Sequence, residues 1–338
     1  MKILATGGAG YVGSHCVREL CAGGHDVAVY DNLRDGGHRE AVDPRARLVV
    51  GDLADRALLE RTFAEGRFDA VMHFAARLNV GESVREPLRY YRNNVVNTVS
   101  LLEVMQAHAM RRLVFSSSCA TYGIPPGVPV TEDMPQAPIS PYGHTKLAME
   151  WALRGCAEAW GLGATALRYF NAAGAAADGT LGEDRDPEYH LIPLVLQVAL
   201  GQRERVEVFG TDYPTPDGSC IRDYVHVEDL ADVHRRALES QPAGVLRCLN
   251  VGTGAGTSVR QIIEVAREVT GREIPAAFGP RRPGDPPALY ADPSRAMREL
   301  HWQPRYPEVR RIIETAWNWH RTHPHGYASV RSPGAMAK

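Results

Sequence analysis

The stretch "KILATGGAGYVGSHCVRELCAGG", residues 2 to 24, decides the fold. A short apolar run ends in glycines, and behind it apolar residues recur at helical spacing until Gly23 and Gly24 close the segment. This pattern predicts strand, turn and helix. Further buried-strand candidates follow at "DVAVYDN" (26 to 32), "RLVVGD" (47 to 52), "AVMHFAA" (70 to 76), "RLVFSSS" (112 to 118) and "ATALRYFN" (164 to 171). Helical stretches lie between several of them, notably 55 to 65 and 87 to 110. Such alternation predicts an α/β fold, a doubly wound parallel sheet covered by helices on both faces. After about residue 171 the texture changes to turn-rich segments, "AAGAAADGTLGEDRDPEY", "FGTDYPTPDGSC" and "GPRRPGDPPALYADP". Loops this long are usually binding elements or disorder. The expected organisation is a sheet domain over 1–171, with later segments returning to it, a smaller loop-rich α/β lobe over 172–327 and a disordered tail over 328–338.

Gly7, Gly10 and Gly13 follow the first strand directly and open its helix, so backbone amides and the helix amino terminus can meet a pyrophosphate. Asp31 closes the second strand, where a carboxylate can accept hydrogen bonds from an adenosine ribose diol and repel a 2′-phosphate. Together they predict a Rossmann dinucleotide site that takes NAD rather than NADP. Asp52, after the third strand, reads equally as a contact to the adenine edge or as a cap for a helix over 53 to 65. A second glycine cluster, "GTGAGTS" (252 to 258), lies far from the first strand-helix unit and reads as a turn before a helix over 259 to 270.

Composition narrows the function classes. The 338 residues are 44% hydrophobic and 23% charged, ordinary for a globular chain, with 38 basic against 40 acidic side chains. A formal charge of −2 gives no general attraction to nucleic acid or anionic membrane, so an anionic ligand must be held by local groups. No run of about 18 apolar residues marks a membrane span, and the opening apolar run is too short for a secretory signal, so the cytoplasm is the expected address. Six cysteines without a CxxC pair read as reduced thiols. "HRTHPH" (320 to 325) lacks acidic or cysteine partners, and no metal site is expected there.

"SPYGHTK" (140 to 146) places Tyr142 four positions before Lys146 at the start of a helix, so both side chains share one face. Lowering a phenol from its usual pKa near 10 to neutrality requires roughly 4 kcal/mol in favour of phenolate. A cation about 4 Å away at an effective dielectric near 20 is worth about that much. Tyr142 with Lys146 therefore reads as a tuned acid/base beside a hydride carrier. Ser118, at the carboxyl end of the strand over 112 to 118, is placed to hydrogen-bond the same substrate oxygen.

With the glycine turn and Asp31, the segments "HFAA" (73 to 76), "GESV" (81 to 84), "YYRNNVVNT" (90 to 98), "PYGHTK" (141 to 146), "LRYFNAAG" (167 to 174), "FGTDYPTPDGSCIRDYVHV" (209 to 227) and "RRPGD" (281 to 285) resemble the extended short-chain dehydrogenase/reductase family, most closely its UDP-glucose 4-epimerases. The resemblance runs from residue 2 to about 327. It implies NAD-dependent oxidation of a UDP-hexose at C4, rotation of the transient 4-keto sugar and hydride return to its opposite face. NAD then stays bound and is not consumed. It implies cofactor contacts at Tyr11, Val12, Asn32, Leu53, Phe74, Ala75, Ala76, Asn94, Tyr142, Lys146 and Tyr169. It assigns the UDP-sugar to Asn171, His190, Leu191, Phe209, Arg222, Arg282 and Asp285, with Ser118 and Tyr142 at the reacting oxygen. His190 stands where an asparagine is common, and Leu78 replaces a lysine found in some members. The resemblance places a sugar gate at Leu289, where a side chain smaller than tyrosine implies activity on UDP-N-acetylglucosamine beside UDP-glucose. UDP-arabinose or UDP-xylose, UDP-glucuronate, and a silent NAD-sensing protein are the alternative readings. Dehydratases of the superfamily need an extra carboxylate after the catalytic Ser/Thr, where this chain has Cys119 and Ala120. A homodimer through the helices at 87 to 110 and 143 to 160 is also implied.

Overall fold

The computed structural model describes residues 1–282 and 285–327. The predicted tail over 328–338 lies outside the described residues. The first half alternates strand and helix: β1 (Lys2–Thr6), α1 (Tyr11–Ala22), β2 (Asp26–Asp31), β3 (Arg47–Val50), α2 (Arg56–Gly66), β4 (Ala70–His73), α3 (Val80–Arg85), α4 (Pro87–Tyr90), α5 (Asn97–Ala107), β5 (Arg112–Ser118), α6 (Pro141–Trp160) and β6 (Gly163–Tyr169). The second half adds β7 (Asn171–Ala173), α7 (Leu191–Ala199), β8 (Val206–Phe209), β9 (Ile221–Arg222), β10 (Tyr224–His226), α8 (Val227–Glu239), β11 (Leu246–Val251), β12 (Thr257–Ser258), α9 (Val259–Thr270), β13 (Ala276–Gly279), β14 (Ala288–Leu289), α10 (Ser294–Leu300) and α11 (Val309–Thr322).

Seven strands form the main sheet in the order β11-β6-β5-β4-β1-β2-β3. Every pairing in it is parallel. Helices cover both faces, so central strands such as "ILAT" and "AVMH" are buried throughout, which explains their unbroken apolar reading. One face packs Val17, Leu20, Leu230, Val233 and Trp302 against the sheet, and the other packs Leu59, Phe63, Leu101, Met105, Met149 and Leu153. A separate core built on α7, α9 and α11 joins Val195, Leu196, Ile262, Ile263, Ile312 and Ile313. β11 and α8 come late in the chain, yet β11 pairs with β6 and α8 packs on α1. No helix among the described residues is long and apolar enough to cross a membrane.

Three local readings are refined by the structure. The helical stretch at 87 to 110 is interrupted by a π-helical turn over Tyr91–Val96, between α4 and α5. The cap of α2 is Asp55, whose carboxylate accepts from the Leu58 amide at 3.0 Å, so Asp52 is free of that task. "GTGAGTS" wraps the fully buried Asp223, which accepts from Thr253 N, Thr253 Oγ1, Gly254 N and Ala291 N, before Ser258 opens α9 with a capping box.

Candidate active site

The turn between β1 and α1 shapes a cleft at the carboxyl ends of the strands. Gly7 adopts φ +72°, and a Cβ there would stand 2.5 Å from the Ala75 amide nitrogen, so only glycine lets the β1 and β4 turns meet. A Cβ on Gly13 would collide with the Gly7 carbonyl oxygen. The cleft they open is lined by Gly7, Gly10, Tyr11, Val12, Gly13, Asp31, Asn32, Asp52, Leu53, Phe74, Ala75, Ala76 and Tyr169. Asp31 is buried and accepts from Ala9 N at 3.0 Å and Leu33 N at 2.8 Å, which fixes its carboxylate at the end of β2. Burial raises its pKa, and those two amides oppose the rise. Asp52 accepts from Asn32 Nδ2 at 2.9 Å and Ala54 N at 2.9 Å, joining the ends of β2 and β3. A glycine cradle beside a helix amino terminus and a fixed acceptor at the second strand fit a dinucleotide.

Asn94 lies beside the cleft, bonded to the backbone of Arg77, which lines it. It sits on the π-helical turn, and its side-chain amide is used up inside the protein: Oδ1 accepts from Arg77 N at 2.8 Å, and Nδ2 donates to Arg77 O at 2.9 Å and Thr145 Oγ1 at 3.1 Å. The cleft is further lined by Asn93 and Asn97, with Arg34, Arg77 and Arg185, none of which the sequence pattern singled out. An inserted π turn shifts which side chains face inward, and a 3.6-residue periodicity cannot register it.

α6 starts cleanly because the Ser140 hydroxyl accepts from the Gly143 amide at 3.2 Å and Pro141 takes the first turn. One turn in, Lys146 is buried, its ammonium 5.8 Å from the Tyr142 ring centre and 5.0 Å from that of Phe115. Lys146 Nζ donates to the Ser116 carbonyl at 2.7 Å, and Ser118 lies two residues further along β5. Burial lowers the Lys146 pKa to about 7, and Glu150 opposes the fall. Part of the Tyr142 side chain reaches solvent, but crowding around the phenol pushes its pKa above the ordinary value, as does Tyr169, while the Ser118 hydroxyl opposes by hydrogen bonding. Tyr169 lines the cleft and hydrogen-bonds Ser116, tying the dinucleotide cleft to the tyrosine and lysine.

The second lobe pairs several of its predicted residues. Arg222 pairs with Asp285, and the Arg282 guanidinium lies 3.9 Å from the centre of the Phe209 ring. Leu289 is the register partner of Arg222 between β14 and β9, packed against Tyr122, Phe170 and Cys119 at the end of β5. Asn171 opens β7, its amide donating to Asp223 O at 2.9 Å. His190 precedes Leu191 at the start of α7, and its Nδ1 stands 2.6 Å from the buried Glu183 carboxylate, which also binds Arg185 Nε at 2.8 Å. Glu183 was not anticipated from sequence.

The cleft thus meets the Tyr142, Lys146 and Ser118 group through Tyr169 and Ser116. The model of the NAD dependent epimerase/dehydratase family matches residues 3–252. The chain belongs to this family. Among the family's members, a UDP-glucose 4-epimerase of Halalkalibacterium halodurans is 52% identical over 97% of this chain and 98% of its own length. That of Corynebacterium glutamicum is 53% identical over 94% and 95%. The crystal structure of UDP-glucose 4-epimerase from Brucella ovis in complex with NAD is similar at TM-score 0.90 and 48% identity, covering 94% of this chain and 97% of that one. The Bifidobacterium longum enzyme in complex with NAD+ and UDP gives TM-score 0.92 at 39% identity over 97% and 100%.

Proposed function

We propose that this member of the family is an NAD-dependent UDP-glucose 4-epimerase, interconverting UDP-glucose and UDP-galactose through a transient 4-keto sugar. The observation that carries the reading is the Tyr142, Lys146 and Ser118 group, joined to the glycine-turn cleft through Tyr169 and Ser116, with Arg222 an electrostatic neighbour of Cys119, the residue after Ser118. Gly7, Gly10, Gly13, Asp31 and Asp52 would hold NAD, with Tyr11, Val12, Asn32, Leu53, Phe74, Ala75, Ala76 and Tyr169 lining its cleft. When bound, NAD accepts hydride from the sugar C4 and gives it back. Tyr142 takes the proton of the 4-hydroxyl and returns it to the same oxygen, so the protein ends each turnover in its starting state. Ser118 orients that oxygen. The buried Lys146 ammonium stabilises phenolate, offsetting the burial that otherwise keeps Tyr142 protonated.

Arg222 and Arg282 supply the cations a diphosphate needs on a chain of near-zero net charge. Asn171, His190, Leu191, Phe209 and Asp285 complete the UDP-sugar contacts. Leu289 forms the wall beside the sugar and admits an N-acetyl group. Residues 1–171 with β11 and α8 act as the NAD domain, and the remainder to 327 as the UDP-sugar lobe. Two copies pair through α3–α6, where Val84, Leu88, Val96, Val99 and Trp151 present apolar side chains to solvent. The working compartment is the cytoplasm. Incubation of the purified protein with UDP-glucose, followed by proton NMR, tests the reading: UDP-galactose appears if it holds, and an unchanged spectrum in the presence of NAD refutes it.

A further inference from the structure

α6 carries Glu150 one helical turn beyond Lys146, and its side chain is 3% exposed. The carboxylate accepts from Arg168 Nη2 at 2.6 Å, Arg168 Nε at 2.9 Å, Ser117 Oγ at 2.6 Å and Gln136 Nε2 at 3.0 Å. The Cys248 thiol lies 3.9 Å away, and Arg154 stands a further turn along the helix. Arg168, on β6, is the register partner of Ser117 on β5, and its Nη1 donates to Tyr122 at 2.7 Å. The three serines of β5 therefore serve three tasks: the Ser116 carbonyl receives Lys146, the Ser117 hydroxyl binds Glu150, and Ser118 faces Tyr142.

A buried ion pair seldom stabilises a fold more than apolar residues of similar volume would. This one occupies the floor beneath the lysine that the proposed reaction needs charged. Around Lys146 stand Tyr142 and Glu150 from α6, Phe115 and Ser116 from β5 and His73 from β4, with Tyr169 of β6 bonded to Ser116 and Arg168 of β6 reaching the site through Glu150. Burial keeps His73 neutral, so it adds no charge of its own. Glu150 is the group that raises the lysine's proton affinity against burial.

We propose, resting on the epimerase reading, that Glu150 is a positioning residue with Arg168 as its counter-charge: the pair, fixed one helical turn behind Lys146, sets the field that keeps the lysine ammonium charged. Removing Glu150 takes away the carboxylate, leaves the buried Arg168 guanidinium uncompensated and favours the neutral amine. Removing Arg168 leaves the carboxylate uncompensated and favours the ammonium. The two substitutions break the same contact and act on Lys146 in opposite directions, which a purely structural role does not do.

The test is the pH dependence of turnover with UDP-glucose, in which the alkaline limb reports loss of the Lys146 proton. Glu150→Gln moves that limb down by about one pH unit and Arg168→Gln moves it up by about as much. Gln136 is half-buried, so Gln136→Lys and Gln136→Glu give the same signs with smaller shifts in proteins that keep the ion pair. They decide the matter where the first two variants do not fold. A limb that stays in place in every variant, or moves the same way in each pair, overturns the proposal. Tyrosinate absorbance of each variant, measured against the same variant carrying Tyr142→Phe, reads the charge without turnover. If the wild type converts no UDP-sugar, the epimerase reading falls, and opposite shifts in this titration still uphold the pair's role.

Discussion

The Lys146 ammonium is held 2.7 Å from the carbonyl of Ser116, two residues before Ser118 on the same strand. One hydrogen bond thereby fixes the helix that carries Tyr142 against the strand that carries the serine. The proposed acid/base and the serine proposed to orient its substrate keep their spacing because they are parts of one joint. Replacing Lys146 by methionine retains the buried stem and removes the charge. Turnover with UDP-glucose is expected to fall by about 10²-fold or more, while circular dichroism keeps its folded signature. Unchanged turnover would remove the lysine from the mechanism.

Tyr142→Phe keeps the ring and deletes the proposed proton carrier. The expected loss is about 10²- to 10⁴-fold in kcat, with NAD still present in the purified protein. A sensor that binds NAD without chemistry would show no such loss in its partner binding, so the same variant separates the two functions.

Leu289 packs against Tyr122 and Phe170 where β14 meets Arg222. Leu289→Tyr is predicted to lower the ratio of UDP-N-acetylglucosamine to UDP-glucose activity by at least about tenfold, the scale of steric discrimination in a pocket. Equal changes in both activities would place the gate elsewhere.

Trp151 and Leu88 are 64% and 80% exposed on neighbouring helices. Trp151→Glu puts a charge into the proposed interface and is expected to convert a dimer into a monomer on size-exclusion chromatography with multi-angle scattering. A wild type that elutes as a monomer contradicts the assignment directly.

Acid should unfold this protein through its buried histidines. Burial lowers the pKa of His73 and His226 to about 3 and that of His15 and His234 to about 4. Between pH 6.5 and those values the unfolded chain binds more protons than the folded one, so stability falls as pH drops through that window. His73 bridges Thr6 Oγ1 at 2.6 Å and Thr98 Oγ1 at 2.8 Å. His73→Gln, which keeps a neutral polar side chain, is expected to shrink the fall in Tm between pH 6.5 and 4, whatever it does to Tm at pH 7.

Much of this architecture was legible in the sequence because it rests on local rules. Apolar runs with no polar alternation read as buried parallel strands, and Gly7 and Gly13 read as a turn because a Cβ at either position has no room. Tyr142 and Lys146 share a face through helix geometry alone. What escaped depends on contacts between distant segments. The π turn at Tyr91–Val96 carries Asn94, whose side chain clamps Arg77 and Thr145, contacts between segments far apart in the chain. Glu183 and Arg185, 152 and 154 positions after Asp31 by their numbering, reach the same region only through the fold of the second lobe. Glu150 carries a sequence signal of its own: a carboxylate one turn past Lys146, in a stretch that otherwise buries Leu147, Met149 and Leu153.

The central claim, a redox reaction that cancels itself on retained NAD, is tested most directly by proton NMR of the purified protein with UDP-glucose and no added NAD. The account predicts that UDP-galactose resonances grow to a constant ratio with UDP-glucose while no NADH accumulates. Absence of UDP-galactose even after NAD is supplied, or conversion only with stoichiometric formation of NADH, would contradict it.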